Sequence, residues 1–306
     1  MQQLRKTSHA PKLFGTDGIR GVAGEFPLDE ATVRMIGASL ARNLSTESGP
    51  VSILLGRDTR ESGEAIERAF CEGAAHEGAE CVSAGVITTP GVAFLTGKFG
   101  FTAGVVISAS HNPYEDNGIK IFSPDGRKLN GDIERAIESD VHNGLRVPEN
   151  GAVAVTVKPE FRDAYLDSIK ERFAGLDLGG MRLIIDCANG AASELAPGLF
   201  ASFGAEVTAF HCSPNGRNIN KDCGSLHLEG LQQAVVEAGA DAGNAFDGDA
   251  DRALLVDETG NVVDGDSILW IMSRYLRSVG RLTTPTVVGT VMSNFGLESA
   301  LAAAGI

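Results

Sequence analysis

Three short junctions constrain the fold of this 306-residue chain more than any other feature. Gly78-Ala79-Glu80, Gly204-Ala205-Glu206 and Gly239-Ala240-Asp241 each separate a stretch with helical apolar spacing from a short apolar run. Glycine closes a helix there because it enters the left-handed region without a Cβ penalty, and the run behind it has the length of a strand. The junction recurs, so similar helix-to-strand units are used more than once. Strands alternating with helices of this length indicate an α/β layer fold with a mainly parallel sheet.

The first series opens with a polar lead-in and KLFGTDGIRG, a glycine-punctuated turn segment that should place Thr16, Asp17 and Arg20 close together. Residues 28–44 carry Val33, Ile36, Leu40 and Leu44 at helical spacing, with Asp29 as the cap. A strand over 51–55 ends in the loop GRDTRESG, followed by a helix over 62–78, a strand over 80–87 and a helix over 90–98. The Gly/Pro/Asn-rich stretch 143–151 marks a boundary between 1–150 and 151–263. The second series reads as a helix over 161–173, a strand over 181–186, a helix over 191–203, a strand over 205–211, a helix over 228–238 and a strand over 241–246. A third series, 264–306, is expected to hold a helix over 268–276, a strand over 286–291 and a helix over 297–304. By analogy with the earlier junctions that last helix should feed another strand, so the third unit is expected to be truncated.

An apolar share of 43% supplies several cores, and the length suggests two domains with part of a third. A net charge of -14 argues against a nucleic-acid partner, so any anionic substrate must be caught by a local basic pocket. Five cysteines without a CxxC pair fit reduced thiols in a cytoplasmic protein. His211, Cys212, Cys223 and His227 match none of the usual zinc templates. Neither an apolar leader segment nor an 18-residue apolar run occurs, and neither a signal peptide nor a membrane partner is expected.

Chemistry is expected in 104–122, GVVISASHNPYEDNGIKIF, which reads as strand, tight loop, strand. Ser110 sits at the loop tip beside His111, and Lys120 returns a cation to the same neighbourhood. A hydroxyl with a base and a cation nearby suits a covalent phosphate carrier, whereas a purely structural turn would use Ser110, Asn112 and Pro113 for backbone geometry alone. In DGDADR, Asp247, Asp249 and Asp251 alternate and Arg252 follows. Three carboxylates at that spacing in a glycine-containing loop can converge on a hard divalent cation, Mg²⁺ being the ordinary candidate; a solvated acidic turn is the plain alternative. The glycine and glutamate of a calcium-binding EF-hand are missing, since Arg252 and Glu258 occupy those places. A phosphate on Ser110 would carry close to two negative charges, which such a cation would neutralise. Arg252, Arg20 and Lys120 can clamp the transferring group, and His111 or Lys120 can trade a proton with the attacking sugar hydroxyl.

The serine loop and the acid loop, in this order and on successive α/β units, resemble those of the α-D-phosphohexomutase superfamily. KLFGTDGIRG and NINKDCGSLHLEG (218–230) resemble its phosphoglucosamine mutase branch, and the likeness covers essentially the whole chain. It implies consecutive similar α/β domains with mixed, mainly parallel sheets: a phosphoserine domain, a metal-loop domain and the start of a third, with the fourth absent. It further implies conversion of glucosamine 6-phosphate to glucosamine 1-phosphate in the cytoplasm, on the route to UDP-N-acetylglucosamine. Ser110 takes the role of phosphoserine, with Asp247, Asp249, Asp251 and the serine phosphate as ligands of one Mg²⁺. Arg252 and Arg20 take that of phosphoryl binding, and Lys120 with His111 that of acid and base. Glucosamine 1,6-bisphosphate is the intermediate and activator, the partner is a hexosamine phosphate, and a homodimer is allowed. A phosphomannomutase or phosphoglucomutase, a non-catalytic metal- and phosphate-binding fragment and a serine-dependent phosphomonoesterase are the alternatives. Two departures stand out. Ala250 replaces a glycine common in relatives, which is expected to be tolerated if the backbone there is not at positive φ. The GEXSGH-type sugar loop and the RxSGTEP-type phosphate loop do not occur in these residues, so the chain alone is expected to be inactive.

Overall fold

A computed structural model describes residues 12–45, 49–148, 153 and 155–306. The lead-in 1–11 and the expected division between residues 150 and 151 lie outside the described residues. The first unit runs β1 (Ile19–Val22), α1 (Glu30–Leu44), β2 (Ser52–Arg57), α2 (Gly63–His76), β3 (Glu80–Val86), α3 (Thr89–Phe99), β4 (Ala103–Ile107), β5 (Asp116–Phe122), α4 (Gly131–His142) and β6 (Thr156–Val157). Its six strands lie in the order β1-β5-β4-β2-β3-β6. The pairs among β4, β2, β3 and β6 are parallel, and β5 and β1 add antiparallel strands at one edge.

The apolar spacing of 28–44 becomes α1, capped by the Asp29 carboxylate on the Thr32 N–H, and its buried stripe packs with α2 and α4 against one face of the sheet. The other face carries α3 and α5 (Glu160–Arg172), with Phe161 inserted edge-on between Phe99 and Phe101. Thus β6 and α5, both beyond residue 151, still complete the first layer. Helix α4 had no place in the sequence reading, although Ile133, Ile137 and Val141 repeat every four residues behind the Asn130 cap.

The second unit continues with β7 (Arg182–Asp186), α6 (Ala196–Ser202), β8 (Glu206–Phe210), α7 (Glu229–Ala238), β9 (Ala242–Phe246), β10 (Ala253–Asp257) and β11 (Val262–Val263), in the order β11-β10-β9-β7-β8. Strands β8, β7 and β9 are parallel; β10 and β11 add an antiparallel edge that sequence spacing had not indicated. The helix expected over 191–203 begins only at Ala196. The Ala191 N–H is given to the Gly248 carbonyl, so this backbone braces the acid loop instead of starting a helix.

The last segment holds α8 (Gly265–Ser278) and α9 (Phe295–Ala303). No strand forms over 286–291, contrary to expectation. Among the described residues nothing pairs with this backbone, and Val288 and Val291 are exposed to 86% and 101%. An apolar run becomes a strand only where a neighbouring strand takes its N–H and C=O groups.

Candidate active site

The serine loop joins β4 to β5 and is held by groups outside it. Ser108 donates to Asp58 at 2.6 Å and accepts the Ser110 N–H at 2.9 Å. Arg60, almost fully buried, pairs with buried Asp58 at 2.9 Å. Its guanidinium also donates to the Ser110 carbonyl at 3.1 Å, to the Asn112 carbonyl at 2.9 Å and to the Pro113 carbonyl. Burial raises the Asp58 pKa even though Arg60 opposes the shift. From the second unit, Asn220 donates to the carbonyls of Ser110 and Asn112 at 2.8 and 3.1 Å. Five donations from two side chains thus fix carbonyls of a loop in which Ser110 holds φ 54°. A non-glycine residue persists there only when its surroundings over-determine it. Gly118 lets β5 approach, since a Cβ would stand 2.5 Å from the Ser108 carbonyl oxygen.

The acid loop follows β9 and faces the serine loop across the two units. Ser110 Oγ donates to Asp247 Oδ2 at 2.5 Å, and Gly248 is required at this contact because a Cβ would lie 2.6 Å from the Ser110 carbonyl oxygen. Asp247 and Asp249 are buried. Thr89, at the start of α3, donates its hydroxyl to Asp249 Oδ2 at 2.6 Å and its N–H to the Asp249 carbonyl at 2.9 Å. Lys120 reaches back from β5 to Asp249 at 2.8 Å, Asp251 at 2.9 Å and Asp17 at 3.2 Å. Burial opposes the Lys120 charge, but the two acid-loop carboxylates more than offset it and hold the ammonium above its ordinary range. Burial, then the neighbouring Asp249 charge, pushes Asp247 up to about 7. Asp249 is buried as well, yet Lys120 and Thr89 hold it below the usual carboxylate range.

Arg252 Nη1 lies 3.1 Å from His111 Nδ1, which is 3.4 Å from Ser110 Oγ. Arginine can only donate, so Nδ1 accepts and the neutral ring carries its proton on Nε2. Partial burial and the charges of Arg252 and Arg20 lower the His111 pKa. Arg20 bonds Asn112 at 3.4 Å and Asp17 at 3.1 Å, while its buried Nε has no partner. Thr16 lies nearby, its carbonyl accepting Lys128 at 2.9 Å. All eight side chains singled out from sequence therefore fall in one neighbourhood. Arg60, Asp58, Thr89 and Asn220 were missed as site residues; GRDTRESG and NINKDCGSLHLEG contain three of them, but only three-dimensional contacts reveal what they hold.

Asp247, Asp249 and Asp251 bring carboxylate oxygens within 4.8 Å of one another. Asp249 Oδ1 is buried without a hydrogen-bond partner, an arrangement that is costly unless something positive completes it. An oxygen-only set of this kind fits Mg²⁺, and the residues present are therefore suited to it. One feature departs from expectation: Ala250 holds φ 54°, so the condition under which its methyl would be free of strain is not met.

The chain matches phosphoglucomutase/phosphomannomutase α/β/α domain I over 11–146, domain II over 163–260 and domain III over 264–306. It is 50% identical over 298 residues to a phosphoglucosamine mutase of Solibacter usitatus, covering 97% of this chain and 67% of that protein. It is 48% identical over 292 residues to a phosphoglucosamine mutase of Pseudomonas aeruginosa, covering 95% and 65%. The chain thus spans about two thirds of the length of the curated relatives it matches. A solved phosphoglucomutase/phosphomannomutase family protein of Burkholderia thailandensis superposes with TM-score 0.74 at 24% identity, covering 88% of this chain and 59% of that one. The Paramecium phosphoglucomutase parafusin does so with TM-score 0.66 at 19% identity, covering 87% and 56%. These two share the fold. No helix among the described residues is long and apolar enough to cross a membrane.

Proposed function

The chain belongs to the phosphoglucosamine mutase family of the phosphohexomutases, and on that premise we propose that its site interconverts glucosamine 6-phosphate and glucosamine 1-phosphate through Ser110. The observation that supports this most is the 2.5 Å approach of Ser110 Oγ to Asp247 beside an unpartnered buried oxygen of Asp249. Asp247, Asp249, Asp251 and a phosphate on Ser110 would hold Mg²⁺, which when bound offsets the anionic charge and polarises the phosphorus. Arg252 and Arg20 orient the phosphoryl oxygens, the unpaired Nε of Arg20 supplying a free donor. The bond from Ser110 Oγ to phosphorus breaks as the sugar hydroxyl forms its own, and that hydroxyl's proton passes to a nearby base. Neutral His111 can take it on Nδ1 once Arg252 turns to the phosphate. Lys120, held protonated by the acid loop, serves as a clamp or as the returning acid. The bisphosphate formed then turns over and returns its other phosphate to Ser110.

These residues lack the sugar and distal-phosphate loops, so the chain alone should exchange phosphate on Ser110 while isomerising poorly. Isomerisation is tested by phosphorus NMR on this chain fused to the remaining third of the Solibacter usitatus relative, with glucosamine 6-phosphate, Mg²⁺ and a trace of bisphosphate. Conversion that disappears in Ser110→Ala is expected. No conversion, or conversion indifferent to Ser110, contradicts the proposal. Comparison of kcat/KM across glucosamine, mannose and glucose phosphates then ranks the sugars.

A further inference from the structure

Among the described residues seven other than glycine hold positive φ. Ser110 and Ala250 belong to the site above; the other five, Ala188, Asn189, His211, Asn220 and Asp222, crowd the loops at one edge of the second sheet. Those loops leave the C-terminal ends of the parallel strands β7 and β8. Strand β7 has β8 on one side and β9 on the other, with α6 and α7 packed on opposite faces, so the chain reverses its winding there. The crevice outside such a switch point is where open α/β sheets take ligands.

Three metal-binding side chains converge at this place. Asp186 ends β7, His211 follows β8 and Cys223 precedes a short 3₁₀ turn, Gly224–Leu226. Their ligand atoms lie within 4.8 Å of one another, with His211 Nδ1 at 3.0 Å from Asp186 Oδ2. Asp186 and Cys223 are buried, while the His211 side chain, 39% exposed, leaves an entry path. We propose that Asp186, His211 and Cys223 bind a zinc-type divalent transition-metal ion through carboxylate oxygen, imidazole Nδ1 and thiolate sulfur, with solvent at the open position.

The donor set separates this site from the three-aspartate loop. Mixed oxygen, nitrogen and sulfur ligands suit Zn²⁺ or Co²⁺, whereas Mg²⁺ takes oxygen. The ligands are already held from behind: the N–H groups of Ala188 and Gly224 bond Asp186 at 2.9 and 3.0 Å, and Asn189 Nδ2 stands 3.9 Å from Cys223 Sγ. Outer contacts of this kind orient metal ligands. The ion replaces the hydrogen bond between His211 and Asp186, and the Cys223 thiol proton leaves to solvent as the metal–sulfur bond forms. Spacing could not indicate this grouping, because Cys212 turns away to the Phe210 carbonyl at 3.1 Å and an aspartate on another strand takes its place. The loop so clamped carries Asn220, which holds the carbonyls of Ser110 and Asn112 and whose N–H bonds the Ala188 carbonyl at 2.9 Å. The ion would thus stiffen the support of the serine loop without touching the reacting atoms.

The test titrates the intact chain with Co²⁺ and follows the thiolate-to-cobalt charge-transfer band, with Zn²⁺ and Mg²⁺ as competitors. A saturable band is expected, displaced by Zn²⁺ but not by excess Mg²⁺, and unchanged in Asp247→Asn and Cys212→Ser. In His211→Ala the affinity should fall by more than the roughly 10- to 100-fold that loss of an outer-shell partner costs. Cys223→Ser should abolish the band, but its buried position can impair folding, so the half-exposed His211 variant, checked for native circular dichroism, decides. A missing band in the wild type, or one retained at full affinity in folded His211→Ala, overturns the assignment.

Discussion

The serine loop and the acid loop meet where Ser110 donates to Asp247 and Arg252 donates to His111, yet they are kept in place in opposite ways. The serine loop presents neutral carbonyls, and buried Arg60 of its own unit, with Asn220 from across the interface, satisfies them. The acid loop concentrates like charge, takes its counter-charge from Lys120 of the other unit, and leaves Asp249 Oδ1 unpartnered. One loop is finished by folding. The other keeps an uncompensated carboxylate oxygen for incoming charge, which is what the proposed function asks of a fixed frame beside a site that would accept cation and phosphate in turn.

The largest expected effect breaks the acid loop alone. Asp247→Ala removes a proposed metal ligand and the hydrogen-bond partner of Ser110, and should lower the rate of phosphate transfer on the order of 10³-fold while the melting temperature stays close to wild type. Next in size is a contrast between two cations. Arg60→Ala strands buried Asp58 and removes three donations to the serine loop, so urea denaturation should report a loss of about 3 to 5 kcal/mol that Mg²⁺ does not restore. Lys120→Ala should also destabilise the metal-free chain, but Mg²⁺ should recover most of that loss, because a cation held by the acid loop would supply the counter-charge that Asp249 and Asp251 lose with the ammonium. Equal Mg²⁺ responses in the two variants would erase the distinction between the loops.

How the two loops differ also governs what sequence could reveal. The repeated Gly-Ala-acid junctions and helical stripes are local, and they indicated the α/β layering and most helices. That Ser110, Asp247, Asp249 and Asp251 come together was legible because the proposed phosphate and metal chemistry demands these residue types in close loops. Arg60 was not, since its value lies in three carbonyls some fifty residues away, which no spacing discloses. The β10–β11 hairpin and the missing strand over 286–291 make the same point about the fold. Pairing partners, not apolar content, decide whether an extended segment enters a sheet.

A smaller effect concerns pH. Asp247 is held up to about 7 in the folded chain but ionises near 3.9 when unfolded, so the folded state binds more protons between those values. The metal-free chain should therefore lose stability as pH rises from about 4 to 7 through this group. Mg²⁺ must displace the same proton, so calorimetry in buffers of different ionisation enthalpy should show proton release near neutrality and weaker binding at each step below pH 7. The smallest effect is at Ala250. Ala250→Gly relieves a left-handed alanine worth roughly 1 to 2 kcal/mol and loses its methyl contacts and some unfolded-state restraint, for a net gain of about 0.5 kcal/mol by thermal denaturation.

Phosphopeptide mapping after incubation with glucosamine 1,6-bisphosphate bears most directly on the claim that these loops form one phosphoryl-transfer site. One phosphoryl group on Ser110, acquired in the presence of Mg²⁺ and absent without it or in Asp249→Asn, is the predicted result. Phosphate on another residue, or on Ser110 to the same extent without Mg²⁺ and in Asp249→Asn, would contradict it.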